Sequence, residues 1–401
     1  MKPALEEKKA LLLSFDGFVE TLNHSKQVVV LSGAGISVAC GIPDFRSPDG
    51  IYNRVSKLNV PYPESVFDME YFGDDPTQFF AIAQSLLLPH SVSPSLTHQF
   101  IGELDRQKRL LRTYTQNVDD LERRASIDPD RLVQCHGSFA TATCLKCGKK
   151  FDGSRLESFI RQGAVPYCGL VTMPAALTPI PPGAVSLTDE ANVHEATKPR
   201  RKLPERSKRA RFAEPIVIQG CAGVVKPDIK FFGEPLDKRF GLQLTKDRNV
   251  ADCVLVMGTS MQVTPFSEAL GYLGAVNVPL VLINLESLPG KAFDMELLGA
   301  CDDVVWLLWS RLHEKHGWGA PPRLPLGSDV PPPAMICQSP GRYVCKISVA
   351  PATRKRKRGM KTKHSDAPTS PLPTLSQTPN KTGSNEAVIC DGCQQLQRPG
   401  P

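Results

Sequence analysis

Apolar positions along the chain fall into two rhythms. Residues 27–32 (QVVVLS) are a β-branched run ended by Gly33, the pattern of a strand buried on both faces. Similar runs at 110–115 (LLRTYT), 252–258 (DCVLVMG), 279–284 (PLVLIN) and 303–308 (DVVWLL) predict further strands, and a shorter apolar stretch, 132–135, ends at His136. The second rhythm is helical. Over 8–23, Leu11, Phe15, Phe18 and Leu22 recur at three- and four-residue steps, and 76–86 and 95–107 read the same way. Strands alternating with helices predict an α/β fold with a doubly wound parallel sheet. Ligands in such sheets bind at the carboxyl ends of the strands.

Residues 144–234 interrupt the alternation and read as a small inserted module. Within it, about 172–214 is poor in aromatics and rich in Pro and charge, so a disordered basic insert is expected. After about 318 the pattern fails, and 319–401 is expected to be a disordered Pro/Ser-rich basic tail. The main domain would then be 1–143 with 235–318.

Charge sharpens this division. Of the net +7, residues 198–211 and 354–363 contribute +7 each, leaving the rest of the chain at −7. The basic balance belongs to the appendages, and the fold itself should not bind nucleic acid by charge alone. No apolar run approaches the roughly 20 residues of a membrane span, and the N-terminus does not read as a signal peptide. With 12 Cys and no secretory signal, paired cysteines are metal ligands or redox groups before they are disulfides.

Candidate chemistry sits where strands end. Gly33-Ala34-Gly35-Ile36-Ser37 follows the first strand. Two Gly spaced by one residue let backbone N–H groups approach a pyrophosphate. Position 38 is Val, so the dinucleotide fingerprint GxGxxG fails, and a plain tight turn remains open. The loop 41–47 (GIPDFRS) offers Arg46 for a phosphate or carboxylate, or is a surface loop with an internal Asp44–Arg46 pair. Gln116, Asn117 and Asp119 end another strand; helix capping competes with a ligand role there. His136 at a strand end is a candidate general base near neutral pH, or a structural histidine. Gly258-Thr259-Ser260 and Asn284 are strand-end polar positions of the kind a nucleotide requires.

Cys144-x-x-Cys147 is half of a zinc site. Cys168 follows, but its CxxC partner position, 171, is Val. Cys221 lies 52 intervening residues beyond Cys168. One tetrahedral site from Cys144, Cys147, Cys168 and Cys221 would need that stretch to loop out, which costs little because closure entropy grows slowly with length. A damaged site or a redox pair are the other readings. Cys390 and Cys393 form a lone CxxC in the tail and read as incidental.

In this order the motifs resemble the sirtuin family of NAD-dependent protein deacylases. The carrying segments are GAGIS (33–37), GIPDFRS (41–47), TQNVDDLE (115–122), CHGSFATATCLKCG (135–148), KPDIKFFGE (226–234), GTSMQV (258–263) and ELLGACDD (296–303). The similarity runs over roughly 10–312 and is greatest to the nuclear class of animal and fungal sirtuins. It implies a Rossmann-like large domain, a small module with one structural Zn2+, and NAD between them. It implies that Ala34, Gly35 and Arg46 meet the phosphates and ribose. Ser37, Ile42, Asp44, Asn117 and Asp119 would line the nicotinamide pocket, and Gln116 a ribose. Gly258, Thr259, Ser260, Asn284 and Cys301 would hold the adenosine end, with Gly33 and Phe45 in the same cofactor loops. Val225, Ile229, Lys230, Phe231, Gly233 and Glu234 would clamp an acyl-lysine peptide. His136, helped by Asn117 and Asp119, would be the catalytic base, giving free lysine, nicotinamide and O-acyl-ADP-ribose.

Three departures from the family pattern stand out. The second CxxC is broken, Lys230 replaces an apolar residue of the peptide-clamping strand, and Leu285 replaces an Arg that often follows the adenosine Asn. The expected substrates are acetyl-lysine proteins such as histones, in the nucleus, with the cytoplasm as alternative. The basic runs read as import signals or as salt-sensitive DNA contacts. A catalytically weak chromatin scaffold and a protein ADP-ribosyltransferase are the rival functions.

Overall fold

The computed structural model describes residues 9–56, 58, 60–87, 92–171, 221–324 and 332–346. The insert at about 172–214, the basic runs and the Cys390/Cys393 pair lie outside them. No helix among the described residues is long and apolar enough to cross a membrane.

The large lobe is built on an eight-stranded sheet in the order β10-β11-β9-β8-β7-β1-β2-β3. Its central strands are β1 (Val28–Ser32), β7 (Cys253–Met257) and β8 (Leu280–Asn284), with β2 (Leu110–Thr115) and β3 (Leu132–Gln134) to one side. All of these pair in parallel. Every residue of β1 and β7 is buried. Alternate side chains go to opposite faces: Val28, Val30 and Leu255 enter one core, Val29, Leu31, Val254 and Val256 the other. That is why these strands read as unbroken apolar runs. Helices Phe15–His24, Leu96–Arg106 and Cys301–His316 contribute to the first core, and Lys238–Asp247 and Phe266–Gly274 to the second.

After β1 the chain moves to β2 and β3, and it later returns to β7 on the other side of β1. The order therefore reverses between β1 and β7. The loops leaving those two strands diverge there and open a crevice.

The smaller lobe holds the antiparallel sheet β5-β4-β6 (Lys150–Asp152, Gly137–Cys144, Val225–Ile229). Its core is separate and rich in aromatics, with Phe67, Phe72, Phe79 and Phe231 packed edge-to-face or tilted at 5.0–6.2 Å between centroids. It also draws in Phe45, Ile51, Val55 and Phe80. The small-lobe core thus recruits side chains from Phe45 to Leu87, a stretch that patterning alone placed in the 1–143 part of the large domain.

Two sequence expectations are corrected. Residues 303–308 are not a strand; they lie in the helix Cys301–His316, where Cys301, Val304, Val305, Leu308, Trp309 and Leu312 are buried at helical spacing. The strand that continues the sheet is β9 (Met295–Leu298), one turn earlier. Nor is all of 319–401 disordered. Ala334–Ser339 and Arg342–Lys346 form the hairpin β10–β11, and β11 adds to β9 in parallel. Tyr343 is buried against Phe15, so this hairpin covers what would otherwise be a bare sheet edge.

Candidate active site

The carboxyl ends of β1, β2, β7 and β8 open onto one cavity of about 1270 Å³ between the lobes. The loop after β1 turns through a short 3-10 segment, Ala34–Ile36, and the Gly35 N–H donates to the Gly258 carbonyl at 2.8 Å. A Cβ on Gly35 would lie 2.7 Å from the Gly258 Cα, and Gly258 itself has φ +57°. Two glycines thus let the β1 and β7 loops touch backbone to backbone. Gly33 does not line the cavity; a Cβ there would strike Thr259 at 2.7 Å.

The polar centre is a short chain of hydrogen bonds. The Asn117 amide donates to Ser37 Oγ (3.1 Å) and to the Gly33 carbonyl (3.2 Å). Ser37 Oγ donates to Asp119 Oδ2 (2.7 Å). Asp119 Oδ1 accepts the Leu121 N–H at 3.0 Å, so it also caps the short helix Leu121–Arg124. The expected capping contact is thus made by Asp119 from just ahead of the helix, while its other oxygen holds Ser37. Burial pushes the Asp119 carboxyl above its ordinary value, against the Ser37 and Leu121 hydrogen bonds.

Gln116 ties this centre to His136 and to the β7 loop. Thr259 Oγ1 donates to Gln116 Oε1 at 2.7 Å, and His136 Nδ1 lies 3.0 Å from the Gln116 carbonyl oxygen. A carbonyl only accepts, so Nδ1 carries the proton and Nε2 keeps a free lone pair. Burial holds His136 below the usual histidine value, partly offset by the Gln116 hydrogen bond. His136 occupies the crossing from β3, in the large sheet, to β4, in the small one. The next residue, Gly137, has φ +71°, and a Cβ there would meet the Asp228 carbonyl oxygen at 2.0 Å. Lys230 donates its N–H to the His136 carbonyl at 2.8 Å and closes the crossing.

The remaining expected positions mostly gather here. Ile42, Asp44, Phe45 and Arg46 line the cavity. Asp44 does not turn to Arg46; it accepts from the Ser47 N–H, while the Arg46 guanidinium lies 5.5 Å from the Tyr52 ring centroid. Ser260, Asn284 and Cys301 line the opposite end, and burial pushes the Cys301 thiol up to about 12. Ile229, Lys230, Phe231, Gly233 and Glu234 line the small-lobe wall. Val225 does not: it is fully buried in the small-lobe core, paired with Cys144. The Glu234 side chain accepts from Lys226 Nζ and from the Phe231 N–H, both at 2.8 Å, so it braces the wall.

Sequence reading missed several lining residues. Gln262, Glu286 and Ser287 flank strand-end motifs and were within reach of that signal. Phe67 was not, since only the packing of the small lobe brings it in.

The cysteines fit zinc. Cys144 and Cys221 Sγ atoms are 3.8 Å apart, as are those of Cys147 and Cys168, and all four lie within 4.8 Å of one another. Tetrahedral thiolates about 2.3 Å from zinc sit roughly 3.8 Å apart, far beyond a disulfide bond. The Gly223 N–H also donates to Cys221 Sγ at 3.3 Å.

The sequence profile described as the Sir2 family matches residues 33–265. The chain belongs to the Sir2 family. As a Sir2-family chain it is 38% identical over 300 residues to the NAD-dependent protein deacetylase HST1 of Saccharomyces cerevisiae, an overlap covering 75% of this chain and 55% of that one. It is 38% identical over 308 residues to the NAD-dependent histone deacetylase SIR2 of Kluyveromyces lactis, covering 77% and 43%. With sir-2.1 of Caenorhabditis elegans, named an NAD-dependent protein deacetylase, identity is 37% over 289 residues, covering 72% and 39%. The chain spans about half the length of the curated relatives it matches. A solved structure described as "Structural Basis for the Mechanism and Regulation of Sir2 Enzymes" shares the Sir2 fold at TM-score 0.56 and 24% identity, covering 75% of this chain and 98% of that one.

Proposed function

We propose that this chain is an NAD-dependent protein-lysine deacetylase acting on histones and other nuclear proteins in chromatin silencing. The observation that carries this is the meeting, in one cavity at the reversal point of a doubly wound sheet, of His136 on the Gln116 carbonyl with the hydrogen-bonded chain Asn117–Ser37–Asp119 that begins at the next residue. The named activities of HST1 and SIR2 support it.

The β1 and β7 loops would hold NAD, with Ala34, Gly35 and Arg46 toward the phosphates and Gly258 to Ser260, Asn284 and Cys301 toward adenosine. When bound, NAD supplies an electrophilic ribose carbon and nicotinamide as leaving group. Asn117 and Asp119 are held in place by Ser37 and Gly33 before ligand arrives, so little ordering remains to be done on binding. Ile229 to Gly233 would lay an acyl-lysine peptide along the small-lobe wall, beside His136. The aromatic packing of Phe45, Phe67 and Phe231 under that wall excludes water. His136 Nε2, whose lone pair is free and whose proton affinity burial lowers, would accept the proton of the ribose hydroxyl that must become a nucleophile. Zinc would hold the small lobe through Cys144, Cys147, Cys168 and Cys221 and take no part in the chemistry.

An acetyl-lysine histone peptide with NAD tests this, with nicotinamide and O-acetyl-ADP-ribose both quantified. Equal amounts of both products, lost in His136→Ala, are expected. Nicotinamide released without acyl-lysine would replace this reading with ADP-ribose transfer, and neither product from a folded, zinc-loaded chain would replace it with a binding scaffold.

A further inference from the structure

Behind Asp119 the structure buries two polar side chains with unmet needs. His98, on the helix Leu96–Arg106, is fully buried, and its Nε2 has no hydrogen-bond partner. Its Nδ1 lies 2.8 Å from Ser95 Oγ, which also accepts the His98 backbone N–H at 3.3 Å. Ser95 Oγ has a second lone pair to offer, so the tautomer with its proton on Nδ1, the one that presents the Nε2 lone pair to a metal, is available to His98. Glu122, on the helix Leu121–Arg124, is equally buried, with the Thr115 hydroxyl beside its carboxylate and no hydrogen bond of full geometry to either oxygen. One donor atom each from His98, Asp119 and Glu122 lie within 4.8 Å of one another.

We propose that His98, Asp119 and Glu122 form a second metal site, for a divalent transition-metal ion of the zinc type, and that its occupation inhibits the enzyme. Each of the three groups brings one ligand atom to within reach of a shared ion. A water molecule there could donate only two hydrogens, whereas a cation satisfies three acceptors at once and balances two buried carboxylates. One imidazole and two carboxylates are a borderline donor set that suits zinc, leaving a fourth position for water. Tetrahedral donors about 2.0–2.2 Å from zinc stand roughly 3.4 Å apart, so side-chain shifts of about an ångström close the site. Asp119 lines the cavity and gives the ion a way in. Drawing Asp119 onto the ion takes its carboxylate from the Ser37 hydroxyl, which dismantles the polar centre. The inhibitory half of the proposal rests on the function proposed above; the site itself does not.

The full-length chain, purified with its cysteine-bound zinc, is titrated with Zn2+ near neutral pH and its metal content measured. Bound zinc is expected to rise from one to two per chain, and Glu122→Gln and His98→Gln are expected to retain the first ion and bind the second at least about tenfold more weakly. Co2+ added to the zinc-loaded chain should give weak visible bands with no thiolate charge transfer. Product formation should fall with the second ion in the wild type and resist it in Glu122→Gln. Metal content that stays at one, a second ion bound equally by both variants, or a thiolate band from Cys390 and Cys393 overturns the site. Should either variant lose the first zinc, the wild-type cobalt spectrum decides. A second ion bound as expected with turnover unchanged overturns the inhibition, and a chain with no turnover at all leaves the metal count to decide the site and refutes the function instead.

Discussion

The two lobes are held together by different physics. The large lobe buries unbroken apolar strands on both faces and has enough core to stand alone. The small lobe hangs three short strands and a cluster of phenylalanines on four thiols from distant parts of the chain. One is secured by area and the other by a metal, so they should fail under different insults. The cavity lies on the seam, and its floor and roof depend on different reserves.

Stripping zinc should open the widest gap between them. Structural zinc of this kind contributes on the order of 10 kcal/mol. Hydrogen exchange after chelation should show β4 and β6 losing protection while β1 and β7 keep theirs, and simultaneous loss from both sheets would break the comparison. Next comes a change on the seam itself. His136→Ala should lower turnover about 10²–10⁴-fold while shifting stability by no more than about 1 kcal/mol, read from kinetics beside a melting curve. Leu255→Ala, in the central strand β7, should destabilise the large lobe by about 2–5 kcal/mol in denaturant titrations and leave zinc content unchanged.

The smallest effects are pH-dependent and sit in the wall shared with the cavity. Burial, with Asp119 adding to it, raises Glu122 to about 8 from an ordinary 4.5. The folded chain then holds a proton the unfolded chain has lost, so its stability declines as pH rises through that window. His98 runs the other way. Burial lowers it to about 3 from 6.5, so the unfolded chain gains a proton first and stability declines as pH falls below 6.5. In metal-free buffer, Glu122→Gln should flatten the alkaline limb of a melting-temperature profile and His98→Gln the acid limb. The lowered His136 should separately place the acid limb of turnover below pH 6.5.

Much of this was legible in the sequence because burial on both faces leaves a one-dimensional trace. The strands at 28–32, 110–115, 253–257 and 280–284 were readable as apolar runs, and the loops after them as polar strand ends. The same trace misled at 303–308. Val304 to Leu308 is apolar throughout because that helix packs under the sheet and keeps partly buried residues on its flank, which hides the helical spacing. The hairpin 334–346 was missed for the opposite reason: as an edge it buries little, and its Pro-rich approach dominated the composition. The cysteine quartet was countable, but its fourth member was fixed only by distance. His98 gave no signal, and Glu122 entered only as the last residue of TQNVDDLE, since nothing in a sequence says that a polar side chain has been denied a partner.

The pairing of Cys168 with Cys221 across 52 residues has a meaning for how such a protein changes over generations. Once the ends of a segment are fastened by the same ion, its length becomes nearly free: doubling it adds only about 0.6 kcal/mol of closure entropy. Insertions, deletions and whole grafted sequences can then be tried at that point without disturbing the seam between the lobes. The metal turns one loop into a socket, and the traits most open to variation in this lineage should be those plugged in there.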